Sequence, residues 1–307
     1  MKKIIGSALL SLLLLTALPA GAWAQELVLG GQPLGIELQT EGVTVAGFAE
    51  VETEYGACSS ARDAGVREGD RIVSVGGEPV GAVEDFIRTV AALDGGRVEL
   101  LLRRGGESLS VPVDPVLSAD GQWMLGLWLR DQSAGIGTLT FYDPDSGVYG
   151  ALGHGVTDES SGETLPIRGG RITDAQIIAV TPGSPGLPGE LSGCADRARP
   201  LGDISLNSDK GIFGEACAAL GEGLAEVGAP EPGPAVIRTT LEGRRVREYA
   251  VEISRVYREG GTQRLLLTVT DPLLRELTGG IVQGMSGSPI LQNGRLVGAV
   301  THVSVST

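Results

Sequence analysis

The stretch Ala61-Arg62-Asp63-Ala64-Gly65-Val66-Arg67-Glu68-Gly69-Asp70-Arg71-Ile72, followed by Val75-Gly76-Gly77, decides the fold of the first part of the chain. Its end is an apolar run typical of a strand that leads into a glycine turn. Further strands are predicted at 43–47, 98–102 and 108–113, the last two joined by the hairpin signal Arg103-Arg104-Gly105-Gly106. One helix face is indicated by the spacing of Val83, Phe86, Ile87 and Val90.

The 61–77 stretch resembles the core motif of PDZ domains. Upstream, Pro33-Leu34-Gly35-Ile36 is similar to the loop with which PDZ domains bind a peptide carboxylate. The resemblance implies that the amides of Leu34, Gly35 and Ile36 bind a C-terminal peptide, which pairs with the next strand beside helix 83–93. The alternative is that 33–36 only begins a strand and that this domain binds no free C-terminus.

Composition and charge exclude several classes of protein. Glycine accounts for 48 of 307 residues and aromatic residues for only 4%, which indicates many tight turns and cores built from aliphatic side chains. The glycines follow no three-residue period, so a collagen is excluded. The net charge of −14 argues against a nucleic-acid binder, because such proteins present a basic surface.

The N-terminus resembles a secretory leader. Lys2 and Lys3 precede the apolar run 4–18, and Ala22-Trp23-Ala24 is typical of a cleavage site. Residues 1–24 are therefore predicted to be a signal peptide or an uncleaved N-terminal anchor, and the protein is expected to be exported. We predict a PDZ domain at 25–116 and a second domain at 117–307.

The three cysteines, Cys58, Cys194 and Cys217, have neither the CxxC motif nor a metal-ligand spacing. No metal and no cofactor are therefore predicted. Cys194 and Cys217 could pair in an exported protein, or all three could be small buried residues.

The second domain is predicted to be all β. Its short strands, punctuated by Gly and Pro, lie at 137–142, 171–173, 177–180, 235–240, 249–253, 264–269 and 296–303. One helix is predicted at 215–227. This pattern favours a barrel or sandwich.

The segment that most strongly indicates a catalytic function is Gly284-Met285-Ser286-Gly287-Ser288-Pro289. It resembles the nucleophile loop of chymotrypsin-like proteases. The flanking glycines would let the amides of Gly284 and Ser286 converge as an oxyanion hole. We therefore predict Ser286 as the nucleophile.

Few residues can serve as the base for this serine. After the leader, the only lysine is Lys210, and the only histidines are His154 and His302. His154 lies at a glycine-flanked tip after a short apolar strand, which favours it as the base. A structural role is expected for His302.

A third residue must orient the imidazole. Asp271 precedes Ser286 in the chain, and the order His154, Asp271, Ser286 matches that of chymotrypsin. Asp158 and Asp174 are the alternatives.

The combination of motifs is similar to the SpoIVB peptidases of endospore-forming bacteria. It consists of the leader, the PDZ motif, and the segments 135–140, 150–155, 207–214 and 280–289. The resemblance implies a chymotrypsin-like serine endopeptidase with His154, Asp271 and Ser286 as catalytic residues. It also implies export into the space between the forespore and mother-cell membranes, self-cleavage, and cleavage of a membrane-bound regulator that releases a late sigma factor.

Members of this family continue for some tens of residues past 301–303, so the peptidase domain is expected to be C-terminally short. Two functions therefore remain open at this point. One is an active endopeptidase whose partners are protein substrates, and the other is a PDZ adaptor that carries an inactive protease fold.

Overall fold

The computed structural model describes residues 26–158, 162–184 and 186–301. The helices are α1 (Ser60–Asp63), α2 (Val83–Ala91) and α3 (Pro272–Thr278). The strands are β1 (Glu26–Leu29), β2 (Pro33–Phe48), β3 (Val51–Thr53), β4 (Gly56–Cys58), β5 (Arg71–Val75), β6 (Glu78–Pro79), β7 (Val98–Arg104), β8 (Glu107–Val113), β9 (Val116–Leu117), β10 (Trp123–Met124), β11 (Leu127–Tyr142), β12 (Val148–Ala151), β13 (Ile167–Thr181), β14 (Glu190–Ile204), β15 (Leu206–Ser208), β16 (Gly211–Glu215), β17 (Leu224–Glu226), β18 (Gly233–Thr240), β19 (Val246–Glu259), β20 (Thr262–Val269), β21 (Pro289–Gln292) and β22 (Arg295–Ala299). The protein is therefore mainly β, as predicted.

The first core belongs to the PDZ unit. It lies between β5, β7, β8, the C-terminal half of β2 and helix α2, which buries Phe86 and Val90. The structure shows why the motif contains Asp70. Its buried carboxylate accepts two 2.6 Å hydrogen bonds from Arg104 and one of 2.8 Å from the amide of Arg67. A buried carboxylate needs such partners.

Two long strands connect this unit to the rest of the protein. β2 and β11 pair antiparallel from Leu127 opposite Phe48 to Thr138 opposite Pro33. Their far ends bury Leu34 and Leu139 in a second core, together with strands β12, β13, β14 and β16. The cores therefore do not follow the predicted boundary of 25–116, because the start of the chain packs with the peptidase unit.

A third core fills the five-stranded sheet β20-β19-β18-β21-β22. Helix α3 closes it with Leu274, and Met285 enters it from the loop before β21. The second and third cores form the predicted all-β domain, and the Ser286 loop lies where they meet.

Most of the local predictions are confirmed, including α2, the β7–β8 hairpin and β5. The predicted helix at 215–227 is wrong. Its alanines and glutamates favour a helix, but Gly221 (φ +77°) and Gly223 (φ +80°) turn the chain toward β17 instead. A Cβ at Gly221 would lie 2.3 Å from the carbonyl oxygen of Leu29, so the turn is fixed by a tertiary contact.

The predicted leader, 1–24, lies outside the described residues. Among the residues that are described, no helix is long and apolar enough to cross a bilayer.

Candidate active site

The Ser286 loop is a tight turn before β21. Gly284 (φ +91°) and Gly287 (φ +96°) adopt conformations that favour glycine. A Cβ at Gly287 would lie 2.2 Å from the carbonyl oxygen of Thr138 and 2.5 Å from the amide of Leu152, so no larger residue fits. The glycines therefore let this loop pack directly against the strand and the loop that precede His154.

Strand β11 holds this loop in place. The amide of Thr138 donates to the carbonyl of Ser286 over 3.1 Å, and its hydroxyl donates to the carbonyl of Gly284 over 2.9 Å. Two residues further along the strand, the hydroxyl of Thr140 donates to the carbonyl of Gly287 over 2.7 Å. These bonds fix three carbonyls of the loop and thereby the direction of the peptide groups between them.

The amides of the loop divide into used and unused donors. Those of Met285, Gly287 and Ser288 donate to backbone carbonyls. Those of Gly284 and Ser286 donate to no group in the described part of the chain. The two unused donors are the ones that the sequence predicts for an oxyanion hole, and they flank the buried Met285.

His154 lies in the loop that follows β12. Leu152 (φ +68°) and Gly153 (φ +68°) turn the chain sharply before it. Its Nδ1 is 2.9 Å from the carbonyl oxygen of Gly155. A carbonyl can only accept, so in the neutral ring Nδ1 carries the proton and Nε2 keeps the lone pair. This tautomer is the one that a general base needs.

The two loops meet through the backbone. The carbonyl of Thr138 accepts a 3.2 Å hydrogen bond from the amide of Leu152, and the amide of Thr138 donates to the carbonyl of Ser286. The hydroxyl of Ser286 donates to the carbonyl of Thr301 over 3.2 Å, and the structure records no hydrogen bond between the side chains of Ser286 and His154. The serine must therefore rotate away from Thr301 before its proton can pass to the imidazole.

Asp271 lies elsewhere. It is the N-cap of α3, and its carboxylate accepts from the amides of Leu274 (3.0 Å) and Ala250 (3.3 Å). An Asp before a Pro at the first helical position favours such a cap. The structure therefore gives Asp271 a capping role and does not place it against His154.

Of the two alternatives, Asp174 uses its carboxylate in structural contacts. Asp174 forms ion pairs of 3.0 Å with Arg199 and Arg244. Asp158 closes a turn, in which its amide donates to the carbonyl of Glu163 over 2.9 Å. One contact that orients the His154 ring is the carbonyl of Gly155.

Asn207 is a residue that the sequence analysis missed. Its amide group accepts from the amide of Val156 (2.9 Å) and donates to the carbonyls of Val156 and Leu165 (2.8 Å each). It thus fixes the chain two residues after His154. The segment 207–214 is one of the motifs that resemble the family, but no spacing in the sequence reveals this contact.

The other candidate bases are Lys210 and His302. Lys210 lies exposed in the turn between β15 and β16, and no contact with Ser286 is recorded. His302 lies outside the described residues.

The predicted carboxylate-binding loop is wrong. Leu34, Gly35 and Ile36 form the middle of a sheet in which β2 pairs with β11 on one side and β13 on the other. Leu34 and Ile36 are buried, and a Cβ at Gly35 would lie 2.4 Å from the hydroxyl of Thr173. With strands on both sides, these backbone amides cannot face a ligand.

The cysteines and potential metal ligands add no further site. All three cysteines are free; Cys58 is half-buried and the other two are exposed. No group of three metal-ligating side chains occurs among the described residues.

Comparison with known proteins agrees with this architecture. The family model "SpoIVB peptidase S55" matches residues 121–307, and a PDZ domain model matches 56–104. The protein is also similar to the "Putative zinc metalloprotease CPE1693" of Clostridium perfringens (strain 13 / Type A), with 30% identity over 83 residues. That alignment covers 27% of this chain and 25% of the relative, so the chain spans about a quarter of the relative's length.

The family model covers more than half of the chain and includes both the His154 and the Ser286 loops. The chain therefore belongs to the SpoIVB peptidase S55 family of serine peptidases, hydrolases that act on peptide bonds, and it has a PDZ domain ahead of its peptidase domain.

Proposed function

We propose that Ser286 is the nucleophile of this peptidase and that His154 is its general base. In the first step, Ser286 Oγ bonds to the substrate carbonyl carbon while its proton passes to Nε2 of His154. The imidazolium then protonates the leaving amine as the peptide C–N bond breaks. Water, deprotonated by the same imidazole, releases the acyl group and restores the serine.

The observation that carries this proposal is the double contact of Thr138. Thr138 donates to the carbonyl of Ser286 and accepts from the amide of Leu152. Leu152 lies two residues before His154. The unused amides of Gly284 and Ser286 are available for the oxyanion that forms during attack. The carbonyl of Gly155 keeps the proton on Nδ1 and leaves Nε2 as the acceptor.

A fluorophosphonate probe tests this assignment, because it labels only an activated serine. We expect the purified protein to be labelled at Ser286, and Ser286→Ala and His154→Ala to abolish labelling. A folded protein that is never labelled would instead favour the adaptor function. The contact of Ser286 with the Thr301 carbonyl, rather than with His154, is the observation that favours that second candidate.

The proposed biological role is an exported sporulation-signalling endopeptidase. It would act between the forespore and mother-cell membranes, cleave itself, and cleave a membrane-bound regulator so that a late sigma factor becomes active. Support for this role comes from membership of the SpoIVB family and from the leader-like residues 1–24. The N-terminal segment would export the protein or anchor it at the outer face of the membrane.

A complementation experiment tests this role. The full chain and its Ser286→Ala variant would be expressed in an endospore-forming bacterium that lacks its own S55 peptidase. We expect only the unaltered chain to restore late mother-cell transcription and to yield N-terminally shortened protein. Restoration by the Ser286→Ala variant would contradict a proteolytic role.

A further inference from the structure

Strand β20 is an edge of the five-stranded sheet. It pairs with β19 along its whole length, and no strand among the described residues pairs with its other edge. Thr262 closes the hairpin opposite Glu259, and the amide of Thr270 donates to the carbonyl of Ala250 over 3.1 Å. Because hydrogen-bonding directions alternate along an antiparallel strand, the even-numbered residues of β20 bond to β19 and the odd-numbered residues direct their backbone groups outward.

Three residues of this edge have backbone groups that need partners. In the described part of the chain, no recorded hydrogen bond uses the outward amide or carbonyl of Gln263, Leu265 or Leu267. The next outward carbonyl, that of Val269, accepts a 2.7 Å hydrogen bond from Nε of Arg275. The open edge therefore extends from residue 263 to residue 267, and it can bind another extended chain.

Other edge strands of the protein carry residues that oppose pairing. Strand β8 contains Pro112, and the exposed part of β14 contains Arg197, Arg199 and Pro200. A proline has no amide to donate, and charged side chains disfavour an added strand. The segment 265–269 of β20 is Leu-Leu-Leu-Thr-Val, which contains no charged residue and no proline. This edge therefore lacks the usual protection against pairing.

The side chains of β20 are also incompletely covered. Leu265 and Leu267 pack against the third core but are only partly buried. Leu266, on the opposite face of the strand, is 50% exposed. A strand added to this edge would cover apolar area on both faces of the sheet. The edge thus offers apolar contacts in addition to backbone hydrogen bonds.

The edge is complementary to itself. Two copies of β20 can pair antiparallel about a two-fold axis at Leu265. Leu265 then lies opposite Leu265 of the second copy, and Gln263 lies opposite Leu267, so that each free amide meets a free carbonyl. Arg264 lies opposite Leu266, and no two charged residues are directly opposite each other. Both the hydrogen bonding and the charge of the edge therefore favour a second copy of the chain.

We propose that the protein forms a two-fold symmetric dimer through the edge of β20, with Leu265 on the axis. Three outward amides from each copy form the backbone hydrogen bonds of the interface, and the two five-stranded sheets become continuous. Moving the axis by one residue would place an outward residue opposite either Gly261 in the turn or Val269, whose carbonyl Arg275 already uses. This inference is independent of the proposed role of Ser286.

Residue 266 tests the dimer, because it lies opposite Arg264 of the second copy. The sample is the full-length Ser286→Ala chain, in which self-cleavage is not expected, studied by sedimentation velocity from about 1 to about 100 μM. We expect a concentration-dependent dimer. Leu266→Lys should weaken it at least about tenfold, because each of the two symmetric contacts then has cations opposite each other, whereas Leu266→Glu should preserve or strengthen it.

The paired variants also separate this edge from other modes of association. Both substitutions are at one exposed position, so both proteins should keep the melting temperature of the parent. A general apolar contact would lose affinity equally in both variants, and association through another surface would respond to neither. Either of these results, or a parent protein that stays monomeric at about 100 μM, would overturn the inference.

Disulfide cross-linking checks the register directly. The Cα atoms of a non-hydrogen-bonded antiparallel pair lie about 4.5 Å apart, which suits a disulfide. With the three native cysteines changed to serine, a mixture of Arg264→Cys and Leu266→Cys chains should give a 264–266 cross-link, identified by mass spectrometry. Thr268→Cys is the matched control, because residue 268 lies about 20 Å from residue 268 of the second copy. Cross-linking of the control, or none in the mixture, would contradict the proposed register.

Discussion

The backbone amide of Thr138 donates a 3.1 Å hydrogen bond to the carbonyl of Ser286. Because Thr138 lies on β11, the strand that also enters the PDZ unit, the position of the Ser286 loop is tied to a strand that crosses both units. The predictions below test this connection and the residues around it.

Ser286→Ala should lower kcat by at least about 10³-fold with an unchanged melting temperature, because it removes the proposed nucleophile. Ser288→Ala is the matched control. Ser288 is fully buried, and its hydroxyl has no hydrogen-bond partner in the part of the chain that the structure describes. The control should therefore keep full activity and unchanged or slightly higher stability. If Ser288→Ala lost activity while Ser286→Ala kept it, Ser286 would not be the nucleophile.

Thr138→Val should reduce kcat by about 10- to 100-fold, since the Gly284 carbonyl loses its hydroxyl partner and the peptide beside the oxyanion hole loses its fixed direction. KM should change little. Thr138→Ser retains the hydroxyl and should restore most of the rate. Equal losses in both variants, measured from full kinetics, would mean that the hydroxyl does not position the loop.

Asn207→Ala should lower the free energy of unfolding by about 2–3 kcal/mol, because three hydrogen bonds around Val156 are lost. Asn207→Asp is more informative. Its carboxylate would face two carbonyls, so its pKa should rise above the unfolded value of about 4. The stability of this variant should therefore fall as pH rises from about 4 to 7. Urea unfolding across that range measures the effect, and a flat profile would contradict the contact.

Asp271→Ala should destabilise the protein by about 1 kcal/mol through loss of the α3 cap, with kcat nearly unchanged. Asp271→Asn keeps an N-cap side chain and should be milder. The opposite result would be a loss of kcat near 10⁴-fold in Asp271→Asn at unchanged melting temperature. That outcome would return Asp271 to the catalytic triad.

The bidentate pair of Arg97 with Asp114, at 2.9 and 2.8 Å, predicts a pH effect in the PDZ unit. Hydrogen bonding from Arg97 lowers the pKa of Asp114. A lowered folded-state pKa stabilises the protein above the unfolded pKa, and this contribution is lost as pH falls through the folded value. Asp114→Asn should therefore be less stable than the unaltered protein at pH 7, and the difference should shrink as pH falls below about 4 and disappear below the lowered folded pKa of Asp114. A constant difference down to pH 2 would disagree with this sign.

The sequence predicted the elements whose cause is local. Helix α2 follows from four apolar residues on one face, and the β7–β8 hairpin follows from its two turn glycines. The sequence indicates the Ser286 loop because Gly284 and Gly287 lie within four consecutive residues, and the amides of Gly284 and Ser286 donate to no group among the described residues.

What the sequence could not predict depends on partners far away in the chain. From its sequence, the Leu34–Ile36 segment is compatible with a carboxylate-binding loop. In the structure, β11 pairs with one of its edges and β13 with the other.

By itself, the sequence determined the family and the two kinds of domain, and it predicted Ser286 with His154 as its base, because glycine turns, apolar periodicity and scarce bases are properties of short segments. Only the tertiary structure decided that Asp271 does not contact His154, that Asn207 fixes the His154 segment, and that one strand joins the PDZ unit to Ser286. The physical reason is that each buried polar group takes the partner that folding brings to it. For these residues, that partner comes from a distant segment or from a neighbouring helix end, and the residue type alone does not reveal which.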